Sequence, residues 1–375
     1  MLHGIRILDL SRVLAAPACS MTLGDLGADV IKVERPGTGD ETRAWGPPFD
    51  ERGEAAYYLA INRNKLGIAL DLDSAPDRDV LETLIREADV VLDNYKPGTL
   101  ERRGLDPHRF LTGRPALIWC TISGFGPVSN RPGYDFVVQA ESGWMSITGE
   151  TGGEPMKAGI ALADVTAGKD ATIAILGALV ERERATGPIP AERRRLHISL
   201  VHSATAALVN VAQNALVSGE EPRRWGNAHP NLVPYQLFRA ADRHVVIAVG
   251  NDTQWKACCA ALSLDGLADD PRLRTNAGRL AERERVVSAI RSRVLERPAD
   301  FWVKALDRHG VPGGVVRSVS EALRDVDCSA RTGVAPAVPG SVRLPPPRLD
   351  EHGPLIRRAG WQAFDAVRAA ATPRT

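Results

Sequence analysis

Residues 5–34 read IRILDLSRVLAAPACSMTLGDLGADVIKVE, and their pattern decides the fold. Two short apolar runs, 5–10 (IRILDL) and 29–34 (DVIKVE), have strand character. The residues between them begin with a turn and supply a helix. The same alternation continues with strand-like runs at 67–72 (GIALDL), 89–95 (DVVLDNY) and 116–123 (ALIWCTIS). Residues 74–88 carry Val80, Leu81, Leu84, Ile85 and Ala88 at helical spacing, with Ser74 placed to cap and Pro76 in the first turn. Val- and Ile-rich strands separated by helices imply parallel pairing with helices on both faces, an α/β architecture.

Further along, a long apolar helix is expected over 166–184, stopped by Thr186-Gly187-Pro188. A basic stretch, Arg193-Arg194-Arg195, leads into residues 197–201, and one helix is expected at 203–217. Residues 218–231 turn polar, with Gly, Pro and Trp, and read as a boundary. Beyond it come a strand at 244–251, helices at 254–262, 278–295 and 299–308, and a strand at 315–317 after Pro312-Gly313-Gly314.

Composition narrows the function. The 375 residues suit two domains of ~100–200 residues each. A net charge of +1 argues against nucleic acid, which requires a cationic surplus. No apolar run approaches a membrane span, and the N-terminus lacks a secretion pattern. Five cysteines without paired spacing suggest a reducing compartment, hence the cytoplasm, and no metal site.

A parallel sheet invites a dinucleotide reading, with Glu34 available for a ribose. The first turn, Ser11-Arg12-Val13-Leu14-Ala15-Ala16-Pro17, lacks the required glycines, so no nicotinamide or flavin is expected. Its small residues serve either helix packing or a ligand lying against the backbone. Arg35, Asn94, Lys96, Arg102 and Arg103 follow strand ends and place cations and donors on one rim, which suits a phosphate-bearing ligand. With forty Arg and seven Lys, a single Arg is weak evidence. Asp164 lies between the apolar run 159–163 and the long helix. Its local sequence favours a helix cap, with a nucleophilic carboxylate as the alternative.

Several blocks together resemble the class III CoA-transferases, the CaiB/BaiF or formyl-CoA transferase family. They are 7–43 (ILDLSRVLAAPACSMTLGDLGADVIKVERPGTGDETR), INRNKLGIALDL, ADVVLDNYKPGTLERRGL, ISGFGPVSNRPGYDFVVQAESGWMSITG, KAGIALADVTAG, GNAHPNLVPYQLF and HGVPGG, in order over residues 3–320. The resemblance implies a Rossmann-like large domain (1–205), a small α+β domain (222–317) and a C-terminal segment (325–375) returning to the large domain, in an interlocked homodimer. It implies coenzyme A as part of the acyl-CoA substrate and Asp164 as the nucleophile, held ionised by its helix N-terminus. Val13, Ala15, Arg35, Leu70, Asn94 and Arg102 match the family's CoA contacts. Arg103 stands where formyl-CoA transferase has a methionine. Tyr134 replaces the histidine base of related α-methylacyl-CoA racemases, which favours transfer over epimerisation. Gly226, Asn227 and His229 match a lid. RAWGPPF, YYLAINRNK and RRWGNAHPNLVPYQLF look most like succinate–hydroxymethylglutarate CoA-transferase, implying a dicarboxylate pair. Arg12 and Arg43 are the candidates, on charge, for the distal carboxylate.

Overall fold

The computed structural model describes residues 1–371. Six strands form one parallel sheet: β1 (Arg6–Asp9), β2 (Asp29–Glu34), β3 (Lys65–Ala69), β4 (Val90–Asp93), β5 (Ile118–Ser123) and β6 (Arg195–Ser199). Their spatial order is β3-β2-β1-β4-β5-β6. Leu8 of β1 pairs in register with Ile31 of β2 on one side and Val91 of β4 on the other. The chain moves outward from β1 in one direction and then returns to lay β4 on its other side. The crevice beyond the carboxyl ends of β1 and β4 is therefore the topological switch point, where open α/β sheets bind ligands.

Helices cover both faces: α1 (Ala15–Asp25), α2 (Ala75–Glu87), α3 (Asp135–Glu141), α4 (Leu162–Arg184), α5 (Leu200–Ala206) and α6 (Val209–Ser218). Alternate strand residues point to opposite faces. Leu8, Ile31 and Val91 join α2 and the C-terminal Ile356, Trp361 and Phe364 in one core. Ile7, Val30 and Val90 join Ala16, Leu23, Ala167, Ala171 and Ile175 of α1 and α4 in the other. Burial on both faces explains why these strands read as continuous apolar runs.

Two compact units divide the chain: residues 1–145, 157–220 and 326–375 in one, and 146–156 with 221–325 in the other. The second unit holds an antiparallel sheet of β7 (Tyr235–Arg239), β8 (His244–Ala248) and β9 (Gly313–Val315). Helices α7 (Asp252–Leu262), α8 (Arg283–Val294) and α9 (Ala299–Arg308) pack with it around Phe238, Trp255, Ile290 and Trp302. Residues 146–156 join this unit because Arg224 donates to the carbonyls of Ser146 (3.2 Å) and Gly153 (2.7 Å).

Several boundaries differ from the sequence reading. The helix expected over 203–217 is two helices bent by 70°, with Val209 at φ 42°. Strand β6 ends at Ser199, whose hydroxyl caps α5. The helix expected over 278–295 breaks at Glu282. The strand expected at 315–317 is Gly313–Val315. Among the described residues no single helix is long and apolar enough to cross a membrane.

Candidate active site

The turn after β1 forms one wall of the switch-point crevice and is held residue by residue. Lys32 Nζ donates to the Ser11 carbonyl (2.9 Å) and to Asp40 (3.0 Å). Asn94 clamps Arg12 twice: it accepts from the backbone N–H (3.0 Å) and donates to the carbonyl (2.7 Å). The Val13 N–H lies 3.2 Å from both Asp40 oxygens. Val13 has φ 71°, a left-handed conformation that is costly for a β-branched residue.

A second buried pair lies beneath. Lys65 donates to Asp9 (3.0 Å), the Pro17 carbonyl (2.9 Å) and Asn62 (2.8 Å), while Ser20 donates to Asp9 (2.6 Å). Asp9, Lys32 and Lys65 are completely buried. Burial alone would raise the Asp9 pKa; the ammoniums of Lys65 and Lys32 outweigh it and hold the carboxyl well below its usual range. Burial lowers Lys65 to about 8 despite Asp9. A buried charge is tolerated when it is paired and hydrogen-bonded, and each of these has an oppositely charged partner and at least one further hydrogen bond.

Helix α4 brings Asp164 to the crevice. It crosses α1 at Gly168, where an added Cβ would stand 2.6 Å from the Ala15 carbonyl oxygen. The helix starts at Leu162 and its N-cap is Ala161, so Asp164 is in the first turn and is not the cap. Asp135 does the capping across space: its Oδ1 accepts from the N–H groups of Ala163 (2.7 Å) and Asp164 (3.3 Å). Gln139 steadies Asp135 by donating to its Oδ2 (2.7 Å).

The Asp164 carboxylate, 8% exposed, has no side-chain hydrogen bond among the described residues and faces a cavity of about 320 Å³. Burial, and then the charge of Asp135, push its pKa up to about 7. The expectation that the helix N-terminus holds it ionised is corrected: the exposed amides already serve Asp135.

Arg12, Val13, Ala15, Asn94, Tyr134 and Asp164 all line this inner cavity. An outer cavity of about 610 Å³ is lined by Arg35, Leu70 and Arg103, among others. Arg12, Glu41, Tyr95 and Lys96 line both, so the two share a wall. The side chains of Arg35 and Lys96 have no partner among the described residues, whereas Arg103 is paired with Asp73 (2.8 Å). Arg102 lines neither cavity; its guanidinium lies 3.4 Å from the Thr99 hydroxyl. Arg43 is corrected as a carboxylate ligand. Its fork is taken by Glu34 (2.7 and 2.8 Å) and Glu54 (2.7 Å), and it sits 3.7 Å from the Tyr58 ring centre. The same pairing occupies the Glu34 carboxylate, so it is not left free for a ribose.

Tyr134 is exposed rather than a core aromatic, with its ring 6.5 Å from Trp45. Trp45 meets Tyr57 edge-on at 5.1 Å. Burial, followed by the charges of Asp164 and Asp135, raises the Tyr57 hydroxyl to about 12, so it stays a donor. Gly226, Asn227 and His229 belong to the second unit. Gly226 has φ 59°, and its N–H donates to the Gly149 carbonyl (3.2 Å). His229 accepts at Nδ1 from the Asn231 N–H (3.0 Å), and burial and Arg283 lower its pKa.

Sequence reasoning missed Asp135, Lys32, Asp40, Trp45 and Tyr57. A lysine inside each of the apolar runs DVIKVE and KLGIA was the available signal, because such strands are buried on both faces. Among the described residues no group of three or more His, Cys, Asp or Glu is arranged to hold a metal.

The profile of the family described as CoA-transferase family III matches residues 2–353. A succinate–glutarate CoA-transferase of Agrobacterium fabrum is 40% identical, covering 99% of this chain and 98% of that protein. A human succinyl-CoA:glutarate CoA-transferase is 38% identical over 86% of this chain and 73% of its own length. A crystal structure of a CAIB/BAIF family protein from Brucella suis superposes with a TM-score of 0.82 at 38% identity, over 95% of this chain and 98% of that one.

Proposed function

Because this chain belongs to CoA-transferase family III, we propose that it moves CoA from succinyl-CoA to a second small dicarboxylate through a covalent relay on Asp164. One observation carries this reading: a carboxylate without hydrogen bonds faces a cavity that adjoins a cation-bearing one. The named relatives, which act on glutarate, support a five-carbon acceptor.

The relay balances without water or ATP. Asp164 attacks the succinyl thioester, forming a mixed anhydride and releasing CoA thiolate. The thiolate attacks the aspartyl carbonyl, giving aspartyl-CoA thioester and free succinate. The acceptor carboxylate attacks that thioester, re-forming an anhydride and thiolate. The thiolate then attacks the acceptor's acyl carbon, and Asp164 leaves as carboxylate. Each step exchanges one activated acyl bond for another, so the site need only aim the groups and exclude water.

CoA lies in this reading with its phosphates near Arg35 and Lys96 and its thioester beside Val13, Ala15 and Asp164. Arg12 reaches both cavities and, although its guanidinium is paired with Glu41 (2.6 Å), that pair is partly exposed, so Arg12 is the cation offered to the distal carboxylate. Arg102 and Arg103 contribute charge at the rim. The epimerase alternative is disfavoured because no histidine lines the inner cavity and Tyr134 stands where a base would be required. The working form is an interlocked homodimer in the cytoplasm. Exposed Val209, Leu216 and Val217 on α6 support the first point, and an odd number of cysteines without paired spacing supports the second.

The test is to incubate the enzyme with succinyl-CoA, quench with hydroxylamine or borohydride, and map the modified peptide. The expected label is on Asp164; a label on another carboxylate, or none at full activity, rejects the relay. A matrix of acyl-CoA donors and free acids identifies the acceptor.

A further inference from the structure

We propose that the buried Lys32–Asp40 pair is a positioning device for the reaction, locking Val13 in its left-handed conformation and thereby fixing the 11–15 turn beside Asp164. This rests on reading the Asp164 cleft as the site of CoA transfer.

Three consecutive residues of the turn are held through their backbone groups by side chains. Lys32 holds the Ser11 carbonyl, Asn94 holds both sides of Arg12, and Asp40 accepts from the Val13 N–H with both oxygens. Asp40 is itself fixed on three sides. It donates its backbone N–H to Glu34 (2.8 Å), accepts from the Thr42 N–H (3.0 Å) and hydroxyl (2.8 Å), and binds Lys32 (3.0 Å). Both charged side chains are fully buried, so no solvent competes for them.

The conformation so held is one that valine does not choose. Strained φ values persist where surrounding structure over-determines them, and they cluster at functional sites. Here the strained residue lines the inner cavity together with Ala15, Asn94 and Asp164. A relaxed Val13 would swing the following peptide and move the wall against which a thioester must lie. Small misplacements of that kind cost rate more than affinity.

The test is a double-mutant cycle on Asp40→Asn and Val13→Gly, read as kcat and KM for succinyl-CoA. Asp40→Asn keeps an acceptor but removes the charge paired with Lys32. Its kcat should fall at least about tenfold, while KM changes by less than about threefold. Glycine adopts positive φ at no steric cost, so adding Val13→Gly should recover kcat several-fold in the Asp40→Asn background. Wild-type kcat in Asp40→Asn, or a double variant no faster than the single one, overturns the proposal. If Asp40→Asn does not fold, Val13→Gly alone decides: it should melt higher than the parent, and lower melting overturns the proposal. Asp164→Asn is the separate control. Should it stay active, the relay fails, while the coupling between positions 13 and 40 remains measurable in kcat.

Discussion

Two carboxylates compete for one helix end, and the loser is the one proposed to react. Asp135 takes the N–H groups of Ala163 and Asp164. Asp164 is left buried beside it, with its pKa raised to about 7. Attack requires the ionised form, so kcat/KM for succinyl-CoA should rise with pH through about 7. Asp135→Asn retains an oxygen for the helix amides but removes the like charge, so the acid limb should move to lower pH. A limb that stays in place would mean that Asp135 acts only as a cap.

The same shift fixes the sign of a stability effect. A carboxyl whose folded pKa lies above its unfolded value destabilises the fold as it ionises. That penalty is absent below about 4, grows from there to about 7, and is complete above. Asp164→Asn should therefore raise the melting temperature, more at pH 8 than at pH 5, by at most about 4 kcal/mol in stability. Activity should fall by several orders of magnitude, because the proposed relay has no other attacking group. A destabilised, active Asp164→Asn enzyme would contradict both halves. Asp164 was legible in the sequence through its block. Asp135 was not, because the cap comes from a residue 29 positions away.

At the scale of elements, strand identity was legible and helix termini were not. The strands announce themselves because burial on both faces requires unbroken apolar runs. The α5–α6 break carries no Pro or Gly, since the left-handed residue there is Val209. The buried lysines were legible only in hindsight, because their partners Asp9 and Asp40 come from other parts of the chain. Gly168 permits a close approach, and the approaching group is the Ala15 carbonyl. That oxygen belongs to the first turn of α1 and cannot swing aside as a flexible side chain would. Gly168→Ala should therefore force α1 and α4 apart and cost about 1–3 kcal/mol, measured by urea denaturation. Unchanged stability would show that the α1–α4 crossing has slack, leaving the crevice wall less rigid than the hydrogen bonds alone suggest.

For the whole molecule, a net charge of +1 is the balance of 47 Lys and Arg against 46 Asp and Glu. Forty arginines made the rim cations hard to rank from sequence, since most arginines here serve carboxylates of their own chain. The structure separates them by what each already holds. Arg43 is consumed by Glu34 and Glu54, Arg103 by Asp73, and Arg102 lies off both cavities. Arg35 alone of these lines the outer cavity with an unpartnered guanidinium, exposed and able to fork onto a phosphate. The phosphates sit far from the reacting carbonyl and keep their charge throughout, so their binding is uniform between ground and transition states. Arg35→Ala should then raise KM for succinyl-CoA by about tenfold with kcat nearly unchanged. The effect should shrink as ionic strength rises, because an exposed contact is screened. Arg102→Ala should change KM by less than about twofold, the size expected of a charge acting only through solvent. If Arg102→Ala proves the more damaging of the two, the phosphates run along the other side of the 94–103 loop and the assignment of the outer cavity to CoA is wrong.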